Sequence, residues 1–170
     1  MALLDEQIVE EWLNRKHFFT MRGIKCGVDE IDLLALRHKE NMAELWHVEV
    51  QVSYRPIGYI GGDSNARKRT DEEIREGVEQ WVDKKFKRDI KVQRRNEIFP
   101  NASWRYVLVH GELKNTKELE YMQQEGVELH SYKSILEDLR DTENKSSSSI
   151  ASNIADMLKY LKNKPDSQPT

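Results

Sequence analysis

A single cysteine, Cys26, is all the thiol that this 170-residue chain contains. No intrachain disulfide can form from it, cysteine-based zinc sites are excluded, and a reducing cytoplasmic setting is expected. No run of about 18 apolar residues is present to span a membrane. Acids enter at Asp5 and Glu6, too early for a signal peptide. Positive charge is not in excess either: 27 Lys and Arg stand against 30 Asp and Glu, for a net charge of -3. A surface coated in positive potential is therefore not expected. The 5 histidines share no spacing and suggest no catalytic or metal-binding group, and no internal repeat is visible.

What is present suits one domain with a conventional core and an appendage. With 34% of its residues charged, the chain is polar. The charge is unevenly spread. Residues 1–54 hold 6 Lys and Arg against 10 Asp and Glu, and residues 106–170 hold 8 against 11, whereas residues 55–105 hold 13 against 9. A basic stretch beside an acidic site suits an enzyme acting on a polyanion, although ordinary surface variation gives the same counts.

Asp5 to Lys16 reads as a helix with Ile8, Val9, Trp12 and Leu13 on one face. His17–Arg22 reads as a short strand, followed by a turn at Cys26-Gly27. Val28–Arg37 and Leu45–Ser53 read as two strands joined by the polar stretch His38–Glu44. Tyr54–Arg69 is a loop by composition. Thr70 and Glu73 then form a capping box, with Ile74, Val78, Trp81, Val82 and Phe86 following at helical spacing.

Lys84–Arg95 is a basic segment whose Lys84, Lys85, Lys87 and Arg88 are expected on a solvated helix face. Trp104–His110 reads as a buried strand, residues 116–124 as a helix, Val127–Tyr132 as a strand and Ser134–Arg140 as a helix. Trp12, Trp81 and Trp104 are expected in the core. Residues 142–149 form a Ser-rich linker between a domain over 1–141 and an amphipathic helix over 150–163, and residues 164–170 form a disordered tail. The element order predicts a mixed α/β domain.

Two segments set carboxylates inside apolar strand patterns: Asp29–Leu34 and His47–Val52. Burying charge is unfavourable unless it is paired or binds a cation. A hairpin symmetric about Glu40-Asn41 would pair Asp32 with Glu49, Glu30 with Gln51, Ile31 with Val50 and Leu33 with Val48. Glu30, Asp32, Glu49 and Gln51 would then share a face, and a one-residue slip would scatter them. Two such carboxylates repel unless protonated or bridged by a cation. With oxygen ligands alone, Mg²⁺ or Mn²⁺ is the expected guest. The alternative is a solvated sheet face carrying ordinary surface acids.

These residues resemble the PD-(D/E)XK nuclease superfamily, the restriction-endonuclease-like fold. Glu30-Ile31-Asp32-Leu33-Leu34-Ala35 is similar to the family's second-strand motif, and Val48-Glu49-Val50-Gln51 to its Glu-x-Lys strand, with Gln51 where lysine is usual. Glu6 falls where related branches place a helix glutamate, and Glu10 is the alternative one turn on. The likeness spans about residues 5–110. It implies an αβββαβ core, a mixed central sheet flanked by helices, with the C-terminal helix appended.

By that resemblance the chain is a metal-dependent nuclease, with DNA as the expected substrate. Asp32, Glu49 and the Val50 carbonyl would hold Mg²⁺, and Gln51 would orient the attacking water. Glu6 would support the metal or a second one. Glu30 would either join them or pair with Arg22 or Lys25. Arg55, Arg67, Lys68 and Arg69 would hold phosphates. A glutamine amide can orient water but supplies no positive charge. The competing class is therefore an inactive nuclease-like module that binds nucleic acid or protein. The apolar face of the last helix would fold back on the domain, or meet a second copy or a partner protein.

Overall fold

The computed structural model describes residues 2–52, 68–113, 116–141 and, near the C-terminus, 153, 154, 156–158 and 160. The elements run α1 (Ala2–Arg15), β1 (Phe19–Cys26), β2 (Asp29–Lys39), β3 (Met42–Gln51), α2 (Asp71–Val82), a π-helical turn (Asp83–Lys87), α3 (Asp89–Ile98), β4 (Arg105–His110), α4 (Lys117–Gln124), β5 (Val127–Ser131) and α5 (Tyr132–Asp141). They build an α/β fold around a five-stranded mixed sheet in the order β1-β2-β3-β4-β5. β1, β2 and β3 form an antiparallel meander. β4 runs parallel to β3, and β5 parallel to β4.

Helices cover the sheet from both sides because the strands offer two apolar faces. On one side Ile8, Val9, Trp12 and Leu13 of α1, with Ile135 and Leu139 of α5, pack against Leu33, Val48, Val107 and Val109. The indole of Trp12 donates to Asp138 at 2.7 Å, tying α1 to α5. On the other side Val78, Trp81 and Val82 of α2, with Phe86, pack on Leu108, Met122 and Val127. A third cluster joins Ile24, Cys26, Ile31 and Leu34 to Ile98 and Trp104, which is only partly buried.

Local signals explain most boundaries. Thr70 Oγ1 accepts from the Glu73 N–H while Glu73 accepts from the Thr70 N–H, so the capping box starts α2. Glu40 and Asn41 take φ of 51° and 65°, the left-handed pair that a two-residue hairpin requires. The hairpin is symmetric about them, with Lys39 opposite Met42 and Leu33 opposite Val48. Both strands run through the stretch expected to be a loop, His38–Glu44, because so tight a turn leaves no slack to fill.

Three expectations are corrected. β1 begins at Phe19 rather than His17. His17 has φ 65° and the Phe18 N–H bonds the Leu13 carbonyl, so these residues close α1. The segment Lys84–Arg95 is a π turn and a helix whose inward residues include Phe86, Lys91 and Arg95. Strict alternation also fails around Asp32: Ile31 and Leu34, three apart, share one cluster. Opposite Asp32 in the register lies Gly23, with φ 65°. The linker and the tail lie outside the described residues. The described residues of the final segment are helical, with Ile154 packed on the α1–α5 cluster and Met157 and Tyr160 exposed.

Candidate functional site

Glu49 lies at the centre of a buried polar group and is only 1% exposed. Its Oε1 accepts from Lys91 Nζ at 2.8 Å, and its Oε2 accepts from Lys85 Nζ at 2.7 Å. His47, two residues earlier on the same strand face, lies 3.0 Å from Oε1 through Nε2. Arg95, one turn along α3 from Lys91, reaches His47 Nδ1 at 2.6 Å and the Phe86 carbonyl at 2.8 Å. A guanidinium only donates, so Nδ1 accepts and the ring proton sits on Nε2, directed at Glu49. Burial, reinforced by the nearby cations, brings His47 down to about 4 despite Glu49, so it is neutral at pH 7. Burial opposes ionisation of Glu49. The bond from His47 and the ammoniums of Lys85 and Lys91 nonetheless hold its carboxyl at about 2.

Asp32 stands beside this group in a different state. Its Oδ2 accepts from the Val50 N–H at 2.8 Å. At this level a side chain, not the β2 backbone, closes on β3, and the paired ladder begins at Leu33–Val48. Burial pushes the Asp32 carboxyl up to about 7, and the Glu49 charge pushes the same way. The Val50 bond and the Lys85 ammonium oppose them. Glu6, buried on α1, is likewise raised, first by burial and then by Glu49, against the pull of Arg22 and Lys85. Lys85 remains an ammonium: burial disfavours its charge, but Glu49 and Asp32 outweigh that.

The expected face of four side chains is thus only partly assembled. Asp32, Glu49 and Glu6 share one electrostatic environment. Glu30 instead pairs with Lys25, one of its two expected partners. Glu10 turns away to Thr20 and Arg22, each at 3.1 Å, because β1 lies beneath that turn of α1. Gln51 is half-buried, and its carbonyl accepts from Gly111 at 3.1 Å. The observed link from Val50 to the carboxylates is its N–H rather than its carbonyl. Arg55 and Arg67 lie outside the described residues. Lys68 is exposed and Arg69 half-buried ahead of α2.

Four residues of the site escaped sequence reasoning: His47, Lys85, Lys91 and Arg95. Lys85 does not join the solvated face expected of it. The π turn gives this segment a wider hydrogen-bond spacing than an α-helix. There Phe86 is fully buried against Trp81, Tyr106 and His47 while Lys85 reaches Glu49. One signal was available for His47, since residues i and i+2 of a strand share a face.

Among the described residues no group of three or more His, Cys, Asp or Glu is gathered as metal ligands. That excludes an all-protein cage there. Mg²⁺ needs less, since it keeps several waters and takes one or two carboxylates. Asp32 and Glu49 supply two carboxylates, with Asp32 raised first by burial and then by the Glu49 charge. The oxygen donor set therefore fits Mg²⁺ or Mn²⁺ rather than zinc. A separate cavity of about 490 Å³, at the carboxyl ends of β4 and β5, is lined by residues including Val52, His110, Leu119 and Tyr132, and by none of this group.

No family model and no curated protein matches the chain. Its fold is similar to that in the crystal structure of a protein of unknown function, AF1548. The TM-score is 0.54 at 14% sequence identity, covering 93% of this chain and 79% of that one. At that identity the likeness concerns the fold alone. No helix among the described residues is long and apolar enough to cross a membrane.

Proposed function

We propose that the chain is a Mg²⁺- or Mn²⁺-dependent nuclease of the PD-(D/E)XK type, with DNA as the expected substrate. The observation that carries this reading is that Asp32, bonded to the Val50 N–H next to the buried Glu49, has its carboxyl raised to about 7, first by burial and then by the Glu49 charge. The element order supports it, because α1, β1, β2, β3, α2 and β4 follow the αβββαβ order that the resemblance implies, with the π turn and α3 added between α2 and β4.

Asp32 and Glu49 would hold the ion, with the Val50 carbonyl as a further oxygen and Glu6 as support from α1. A bound divalent ion supplies polarisation of the scissile phosphate and acidification of a water. The protein's own part is to fix the donors. The Val50 N–H orients Asp32, and the bonds from His47 and Lys91 keep Glu49 ionised and immobile. Gln51 would orient the water through its amide. Arg55, Arg67, Lys68 and Arg69 would hold backbone phosphates, which adds affinity without reading sequence.

Calorimetric titration with Mn²⁺, together with cleavage assays on linear, branched and single-stranded DNA and on RNA, tests the reading. Asp32→Ala and Glu49→Ala should abolish both metal binding and cleavage. Wild type and variants behaving identically would remove the proposal. One observation favours the second reading, a non-catalytic module: both Glu49 oxygens already accept from ammoniums, so the group is complete without a cation. That reading predicts nucleic-acid or protein binding unaffected by Mn²⁺ or by Asp32→Ala.

A further inference from the structure

The two ammoniums on Glu49 differ in kind. Lys91 is 3% exposed in its side chain, lies within α3, and shares Oε1 with His47. Among the described residues Lys85 alone bonds Oε2, and it keeps 28% of its side chain exposed. Lys91 thus belongs to the packed interior and Lys85 to the open side of the carboxylate, where a ligand would arrive. The backbone under Lys85 is also unusual. Five residues form a π turn between α2 and α3, ended by Arg88 at ψ 135°. Such turns recur at functional sites. Here Phe86 is the anchor, buried and bonded through its carbonyl to Arg95. Gln51, meanwhile, brings no charge to the end of β3.

We infer that Lys85 supplies the positive charge that Gln51 lacks. Its ammonium neutralises Glu49 in the cation-free protein and is released toward the phosphate of the substrate when a divalent ion takes its place beside Asp32 and Glu49. This rests on the nuclease reading and names a residue that reading does not use. Two like charges cannot share the Oε2 side of one carboxylate in a half-buried site without strong repulsion. A flexible four-carbon stem lets the ammonium move without moving the turn. Once released, it lies beside the oxygens on which negative charge develops during phosphoryl transfer.

The experiment uses the full chain and compares wild type with Lys85→Met, Lys85→Arg and Lys91→Met. Mn²⁺ affinity is measured by calorimetry, Mg²⁺-dependent DNA cleavage in parallel, and folding by circular dichroism. Lys85→Met should bind Mn²⁺ about tenfold more tightly, because the competing ammonium is gone. It should cleave about 100-fold more slowly, the typical loss when one transition-state donor is removed. Lys85→Arg should retain part of the cleavage. Lys91→Met should lose stability without any gain in Mn²⁺ affinity. A folded Lys85→Met protein with wild-type cleavage, or with unchanged or weaker Mn²⁺ affinity, overturns the inference alone. Wild type that neither binds Mn²⁺ nor cleaves overturns the nuclease reading, and this inference with it.

Discussion

Replacing Asp32 by Asn should make the protein more stable in mildly alkaline solution and leave it unchanged in mild acid. Folding moves this carboxyl from 3.8 to about 7, chiefly by burial and then by the Glu49 charge. The folded state therefore holds a proton that the unfolded chain has already lost across that window. Stability contributed by the group falls as pH rises through it, by about 4 kcal/mol in all. Below the window the protonated acid resembles the amide, and an Asn oxygen can still accept from the Val50 N–H. His47 contributes a slope of the opposite sign. Lowered from 6.5 to about 4, it costs stability as pH falls through that range. The difference between wild type and Asp32→Asn cancels that contribution. The measurement is urea denaturation of both proteins from pH 4.5 to 8.5 with chelator present. The curves should converge near the acid end and separate by about 2–4 kcal/mol at the alkaline end. Parallel curves, or an Asn variant that is less stable at pH 8.5, would mean that Lys85 fully compensates the Asp32 charge. The site would then not be short of a cation.

Glu49→Ala leaves the buried Lys91 ammonium without its carboxylate and should lower stability by about 3–5 kcal/mol, read as a reduced urea midpoint. Phe86→Ala empties a fully buried site beside Trp81, Tyr106 and His47 and should cost about 3–5 kcal/mol. A loss below about 1 kcal/mol there would show that the π turn is not anchored by this ring. Thr70→Ala removes one half of the capping box and should cost about 1 kcal/mol in a thermal melt, with little effect on Mn²⁺ affinity.

The hairpin and the start of α2 were legible because their signals are local. Glu40-Asn41 sits midway between two alternating runs, so one register satisfies both strands, and that register is present from Leu33–Val48 to Lys39–Met42. Thr70 and Glu73 are three residues apart and bond each other directly. α3 was not legible for the opposite reason. Its buried residues are Lys91 and Arg95, so a search for apolar periodicity has nothing to find. Their partners, Glu49 and His47, lie more than forty residues away and only the folded sheet brings them near. Lys85 was misplaced because the spacing from Val78 to Val82 to Phe86 suits a continuous α-helix, whereas the chain passes into a π turn at Asp83.

The same distinction bears on Gln51. A short motif is read along one strand, so a missing lysine at its last position looks like a missing charge. Electrostatics depends on distance in space and not on the element that supplies the charge. Lys85 Nζ is 2.7 Å from Glu49 although 36 positions, α2 among them, separate the two in sequence. The acids lie on strands whose apolar runs a hydrophobic pattern reveals, although the alternation breaks at Asp32. The cation lies on a segment whose geometry depends on Phe86 packing against Trp81, Tyr106 and His47. Of the two, only the first could be recovered from residue order. A carboxylate pair without its lysine is thus an incomplete description of this site. On the nuclease reading, turnover would depend on the freedom of Lys85 to leave Glu49, and Lys85 belongs to the π turn rather than to β3.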